Sequence, residues 1–254
     1  MSGLTSRLRP AKVRGAIRRR VFEWRLGRLR IEPGPAIVEL GTAYGGWKIP
    51  VDAVSEGQIC YCIGSGGDIS FDLELIRRYG AVVRAVDPVA EYGTAALETA
   101  GGEPRFSFRQ AAVTVTDGPI RMQTHHESDS QSLSAAGLYD TNDWVEVDGR
   151  TIPSLMREFG DDHIDLLKVD VEGIEYDLVP TLDLAGLGVR VFSIQLHHTG
   201  TVRDALGLIH GLERQGFRLV AQRPSVKLTF ARPAEGSRAD QSSTSSDSPR
   251  QNAS

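Results

Sequence analysis

The chain has 254 residues, enough for one large domain with appendages, and no stretch approaches the ~20 consecutive apolar residues that span a bilayer. Hydrophobic residues make up 40% and charged residues 24%, ordinary values for a globular protein that exclude a fibrous or wholly disordered chain. The net charge of -4 is unevenly spread: residues 1–30 hold ten basic residues and one acid, Glu23, leaving 19 basic and 32 acidic residues elsewhere. An acidic body repels phosphates, so nucleic acid is not expected among the partners. The N-terminus lacks the apolar run of a secretory signal. Cys60 and Cys62 are read as lying on opposite faces of one strand, unable to bridge each other. Reduced thiols and no leader point to a cytoplasmic location.

The arm from Arg9 to Leu29 reads as a helix, with Val13, Ile17, Val21 and Trp24 at helical spacing among arginines. Such a basic amphipathic helix either packs on the acidic body or makes peripheral contact with an anionic membrane. Glu32-Pro33-Gly34-Pro35 breaks it, so residues 1–35 form an N-terminal helix and linker. Residues 36–232 form the main domain, and residues 233–254, with seven serines, read as a disordered tail.

Within the main domain strands and helices alternate. Ile59–Ile63 is a strand, Ser70–Tyr79 a helix closed by Gly80, and residues 81–86 a second strand. A weak helix over 91–99 and a strand over 106–112 follow. Residues 113–150 read as polar and turn-rich, with a candidate hairpin, a serine-rich loop, and His125-His126 in a loop that could border an acceptor. Thr151 caps a helix, Ile164–Val169 is a buried strand, and residues 190–196 another. Thr201 and Asp204 resemble a capping box opening an amphipathic helix that ends at Gly216. Residues 217–221 and 226–230 form a closing hairpin. The whole predicts an α/β, Rossmann-like, doubly wound and mostly parallel seven-stranded sheet with a C-terminal antiparallel hairpin.

Three clusters carry candidate chemistry. The first strand runs into Gly64-Ser65-Gly66-Gly67-Asp68, where glycines let a nucleotide approach the backbone. Asp87 ends the second strand, placed to accept hydrogen bonds from ribose hydroxyls. A dinucleotide fingerprint would need a small residue where Ile69 stands, so an NAD-binding oxidoreductase is the weaker alternative. The third cluster is Lys168-Val169-Asp170-Val171-Glu172-Gly173-Ile174-Glu175, with Lys168 inside an apolar strand and needing a partner among Asp170, Glu172 and Glu175.

The segment 168–175 with the preceding Asp165-Leu166-Leu167 resembles the signature of FkbM-type methyltransferases. Residues 61–72, with Val86-Asp87-Pro88, resemble a related methyltransferase-like branch. The similarity spans about residues 40–230, including Gly45-Gly46-Trp47. It implies S-adenosylmethionine as cofactor, contacted by Gly64, Ser65, Gly66, Asp68, Asp87 and Pro88. It also implies O-methylation, often of sugars, glycoconjugates or natural products, with a small molecule or glycan as acceptor. Cys62 stands where many methyltransferases carry an acid, which leaves Asp68 to receive the methionine ammonium. Asp170 and then His197 are the candidate catalytic groups. Asp170 and Glu172 could hold a divalent metal, but the expected site is metal-free. A catalytically inactive binding protein on the same fold is the other alternative, and oligomeric state is open.

Overall fold

The computed structural model describes residues 10–127, 130–134, 142–224 and 226–233. The serine-rich tail, apart from Pro233, therefore lies outside the described residues, as does the start of the arm. Helix α1 (Pro10–Leu26) leads to a hairpin of β1 (Ile37–Leu40) and β2 (Trp47–Pro50). The first half of the main sheet follows as β3 (Ile59–Ile63), α2 (Ser70–Tyr79), β4 (Val82–Asp87), α3 (Ala90–Ala100) and β5 (Phe106–Gln110). An insertion then contributes β6 (Ala112–Val113), β7 (Gly118–Glu127), β8 (Ser130–Ser134) and β9 (Trp144–Arg150). The second half comprises α4 (Ile152–Phe159), β10 (Leu166–Val169), α5 (Glu175–Leu178), β11 (Val191–Gln195), α6 (Val202–Arg214), β12 (Arg218–Arg223) and β13 (Lys227–Ala231).

The seven-stranded sheet has the order β12-β13-β11-β10-β3-β4-β5. Its neighbours are parallel except β13, which runs antiparallel to both β11 and β12. The doubly wound sheet and closing hairpin expected from the sequence are therefore present. Apolar strands covered on both faces produce this arrangement: alternate residues of β3 feed opposite core layers. Tyr61 and Ile63 join the layer formed with α1, α4, α5 and α6, whereas Cys60 and Cys62 join the layer formed with α2, α3 and β2. The two cysteines are free and buried, but they share one face rather than opposite ones, because residues two apart in a strand point the same way.

Local signals behave as their chemistry dictates. Gly80 adopts φ 69° and closes α2 in the left-handed conformation. Thr201 and Asp204 form the reciprocal capping box of α6. Two expectations fail. Residues 113–150 do contain the expected hairpin, as β7 and β8, but the stretch is not otherwise turn-rich: β6, β9, β7 and β8 form a four-stranded sheet. The alternation in Ile120-Arg121-Met122 and Val145-Glu146-Val147 is the strand signal, and Met122 is buried by it. The backbone of His125-His126 lies in β7, not in a loop, while their side chains fall outside the described residues.

The second failure concerns α1. Ile17, Val21 and Trp24 face solvent, at 56%, 48% and 54% exposure, and Phe22 and Leu26 are the residues that enter the core. The inward stripe is one turn of i, i+4 contact toward α6, and two buried apolar side chains contribute roughly 3–6 kcal/mol. Trp24 is instead covered by guanidinium groups, Arg28 lying 4.1 Å above its ring. No helix among the described residues is long and apolar enough to cross a membrane.

Candidate active site

The strand order reverses direction between β3 and β10, because β4 and β5 extend the sheet one way and β11 the other. Ligands in open α/β sheets bind at the carboxyl ends of the strands beside such a switch point. Here the chain is tightest. Gly64 follows β3 with φ 70°, and a Cβ on it would lie 1.7 Å from the carbonyl oxygen of Asp170, which follows β10. Gly64 donates its N–H to Val86 across β4 at 2.8 Å, and Asp170 donates to Ile63 at 3.1 Å. Only glycine allows this crossing of backbones.

A cavity of 330 Å³ opens at this point, within the range of small-molecule sites. Gly64, Ser65, Gly66, Asp87 and Pro88 all line it. The buried Ser65 hydroxyl has no hydrogen-bond partner among the described residues, leaving it for a ligand. Asp87 is 5% exposed; its Oδ2 accepts from the Gly66 N–H and its Oδ1 from the Val89 N–H, each at 2.9 Å. Burial raises its pKa, against the pull of those two N–H groups. The carboxylate is thus preset by the glycine turn, and Asp87 lines the cavity.

Asp68 is placed differently from the other expected cofactor contacts. It does not line the cavity. Its Oδ1 accepts from Ser70 N–H at 2.9 Å at the start of α2, and its Oδ2 accepts from the Thr42 hydroxyl. It ties the β1–β2 loop to the glycine turn. That loop and the start of β2 bring in two pocket residues which sequence reasoning missed: Tyr44, 81% exposed at the rim, and the buried Trp47. Their signal was the Gly45-Gly46-Trp47 run, noted without a role.

Lys168 is buried, and its ammonium donates to the Gly64 carbonyl, holding the turn from below. The positive field of Lys168 reaches Asp72 of α2, which is buried, and Asp87, acids outside the signature segment in which its partner was expected. Burial raises the Asp72 pKa to about 6, with Lys168 pulling it back. A folded-state value above the unfolded one means that the native protein binds more protons between about pH 4 and pH 6. Stability contributed by this group is complete below about pH 4 and is lost as pH rises through 6, by roughly 2–3 kcal/mol. Asp72→Asn is expected to flatten that fall. Urea midpoints at pH 4, 5 and 6.5 measure it, and parallel curves for variant and parent would remove the assignment.

Asp170 and His197 are brought together at the ends of adjacent strands. His197 Nδ1 is 2.5 Å from Glu175 Oε1, and its Nε2 is 3.3 Å from Glu172 Oε2 and 3.8 Å from Asp170 Oδ1. Asp170 and Glu172 line the cavity; His197 does not. Burial disfavours charge on His197, but the Glu175 hydrogen bond and the field of Glu175, Asp170 and Glu172 outweigh it and raise its pKa to about 9. Glu172 holds a left-handed φ of 50°, a strained geometry for a residue with a side chain, directly at the site. Ser134 of the insertion donates to the Glu172 carbonyl at 2.7 Å and anchors this bend. His198 diverges from His197 toward α1, where burial and then Arg19 lower its pKa.

A doubly wound sheet with a glycine turn and a buried carboxylate at its switch point defines a Rossmann-like α/β fold. The chain matches the family model described as the methyltransferase FkbM domain over residues 58–219, more than half its length, and it belongs to that family. No curated protein matches it. Among solved structures it is similar to the Methanococcus jannaschii fibrillarin pre-rRNA processing protein, at 12% identity over 72% of this chain and 69% of that chain, with a TM-score of 0.43. It is also similar to a variant of the 16S rRNA (adenine(1408)-N(1))-methyltransferase from Catenulisporales acidiphilia, at 15% identity over 78% of this chain and all of that chain, with a TM-score of 0.34. Likenesses this remote do not bear on what this chain acts upon.

The expected exclusion of nucleic acid is corrected. The summed charge of the body was the wrong quantity, since recognition depends on local surface, and Arg223 and Lys227 line the same cavity as Asp170.

Proposed function

We propose that the protein binds S-adenosylmethionine and transfers its methyl group to a hydroxyl oxygen, of a sugar, glycoconjugate or natural product. The observation that carries this reading is the convergence of Ser65, the Gly64–Gly66 backbone and Asp87 on the cavity that Asp170 also lines. Asp87 accepts the ribose hydroxyls, and the free Ser65 hydroxyl offers a further polar contact. Ile69, 3% exposed in the core, fills the place where a pyrophosphate-binding turn needs a small residue, which disfavours NAD.

When bound, the cofactor supplies an electrophilic methyl group on a sulfonium. Asp170 would receive the acceptor hydroxyl and take its proton while the methyl carbon passes from sulfur to that oxygen, the sulfur–methyl bond breaking to leave adenosylhomocysteine. His197, behind the carboxylates, positions them rather than touching the acceptor. Alignment of the acceptor oxygen contributes most of the rate.

Calorimetry with adenosylhomocysteine and with NAD, followed by incubation with adenosylmethionine and a panel of polyols, phenols and a ribosomal RNA fragment, tests the reading. Binding of adenosylhomocysteine alone, and a product methylated on oxygen, are expected. Heat with NAD and none with adenosylhomocysteine would sink it, and product only from the RNA base nitrogens would remove the acceptor class.

A further inference from the structure

Asp170, Glu172 and His197 offer one ligand atom each, all within 4.8 Å of one another. Three features distinguish this from a chance surface group of acids. The imidazole is fixed from behind: Glu175, with no exposed surface, holds Nδ1 at 2.5 Å and turns Nε2 toward the two carboxylates. A buried carboxylate orienting a histidine through its second nitrogen is the usual support of a metal-bound imidazole. Second, the Asp170 oxygen that faces Nε2, Oδ1, is buried and without a hydrogen-bond partner among the described residues. Third, Glu175 leaves its Oε2 equally unpartnered in the core directly beneath the cluster. Carboxylate oxygens buried without a hydrogen-bond partner carry a desolvation cost.

We infer that Asp170, Glu172 and His197 form a divalent cation site at the acceptor side of the cavity. Cations bound at about 2.0–2.2 Å place neighbouring ligand atoms roughly 3–4 Å apart. The present separations of 3.3 Å and 3.8 Å from Nε2 need only small side-chain adjustment. One imidazole with two carboxylates suits a hard to borderline ion such as Mn²⁺ better than a thiophilic one. The left-handed bend at Glu172, pinned by Ser134, sets the side chain on the cavity side. This inference rests on the methyl-transfer reading only for its use: the ion would gather hydroxyl oxygens of a polyhydroxylated acceptor, while the second oxygen of Asp170 stays available for the proton.

Mn²⁺ alone is the probe. Loss of the free Mn²⁺ electron paramagnetic resonance signal is followed as the full-length protein is added, with melting temperature measured in parallel. Saturable one-to-one binding and a raised melting temperature are expected. Glu172→Gln, at a partly exposed side chain, should weaken binding at least tenfold, and Asp170→Asn likewise, while Glu98→Gln, exposed on α3 and outside the cluster, should leave it unchanged. Adenosylhomocysteine calorimetry on each variant verifies the fold and tests the cofactor reading separately. Mn²⁺ binding without adenosylhomocysteine binding keeps the cation site and removes the methyl-transfer reading. Adenosylhomocysteine binding without Mn²⁺ binding, or Mn²⁺ binding indifferent to Glu172→Gln and Asp170→Asn, overturns the cation site.

Discussion

Gly64→Ala is expected to cost at least ~3 kcal/mol of stability and to abolish adenosylhomocysteine binding, whereas Gly66→Ala, two residues on, should cost only ~1 kcal/mol. Both glycines have positive φ, 70° and 60°, so both substitutions carry the strain of a left-handed residue with a side chain. They differ in what the new methyl group meets. At Gly66 nothing lies within 4 Å. At Gly64 the Asp170 carbonyl oxygen is 1.7 Å away, and neither partner can yield, because each backbone is bound into the central strands. Relief requires β3 and β10 to part at the switch point, which takes Asp170 and the cavity floor with them. Thermal melts and calorimetry on both variants measure the contrast. Equal melting temperatures would show that the two backbones do not cross as closely as described.

Asp87→Asn is expected to weaken adenosylhomocysteine binding about 100-fold, equivalent to ~2–3 kcal/mol. The carboxylate has two acceptor oxygens, each committed to one backbone N–H, from Gly66 and from Val89. An amide keeps one acceptor and opposes the other N–H with its own. The glycine turn loses its template, and a ribose hydroxyl loses an ionised acceptor. Because the site is buried, water cannot replace either bond. Circular dichroism checks that the fold survives. Affinity within threefold of the parent would show that this carboxylate does not hold the ligand.

The framework of the sheet was legible because its signals are local. The near-continuous apolar runs of β3, β4 and β10, the glycine cap at Gly80 and the Thr201–Asp204 box each need only a few neighbouring residues. Gly64, Ser65, Gly66, Asp87 and Pro88 could be placed on one wall by the same means, since the strand–turn–helix context locates them. What escaped depends on chain segments far apart. Lys168 signals that it needs a partner, but nothing local identifies Asp72, nearly a hundred residues earlier. Glu175 looks like one more acid of the signature segment until β11 brings His197 against it. Asp68 was assigned by its place beside the glycines, yet Thr42 and Ser70 occupy it. On α1 two apolar faces compete, and only the position of α6 decides that Phe22 and Leu26 turn inward.

Strand β13 has a consequence for how the molecule is assembled. It occupies the slot between β11 and β12, although it is the last strand of the sheet to leave the ribosome. Until residues 227–231 emerge, β12 has no paired strand, and the flank of β11 is an open template for a foreign chain. The nascent polypeptide is therefore vulnerable to aggregation late in synthesis. A chain clipped shortly before Lys227 would keep its glycine turn yet remain unable to close that flank.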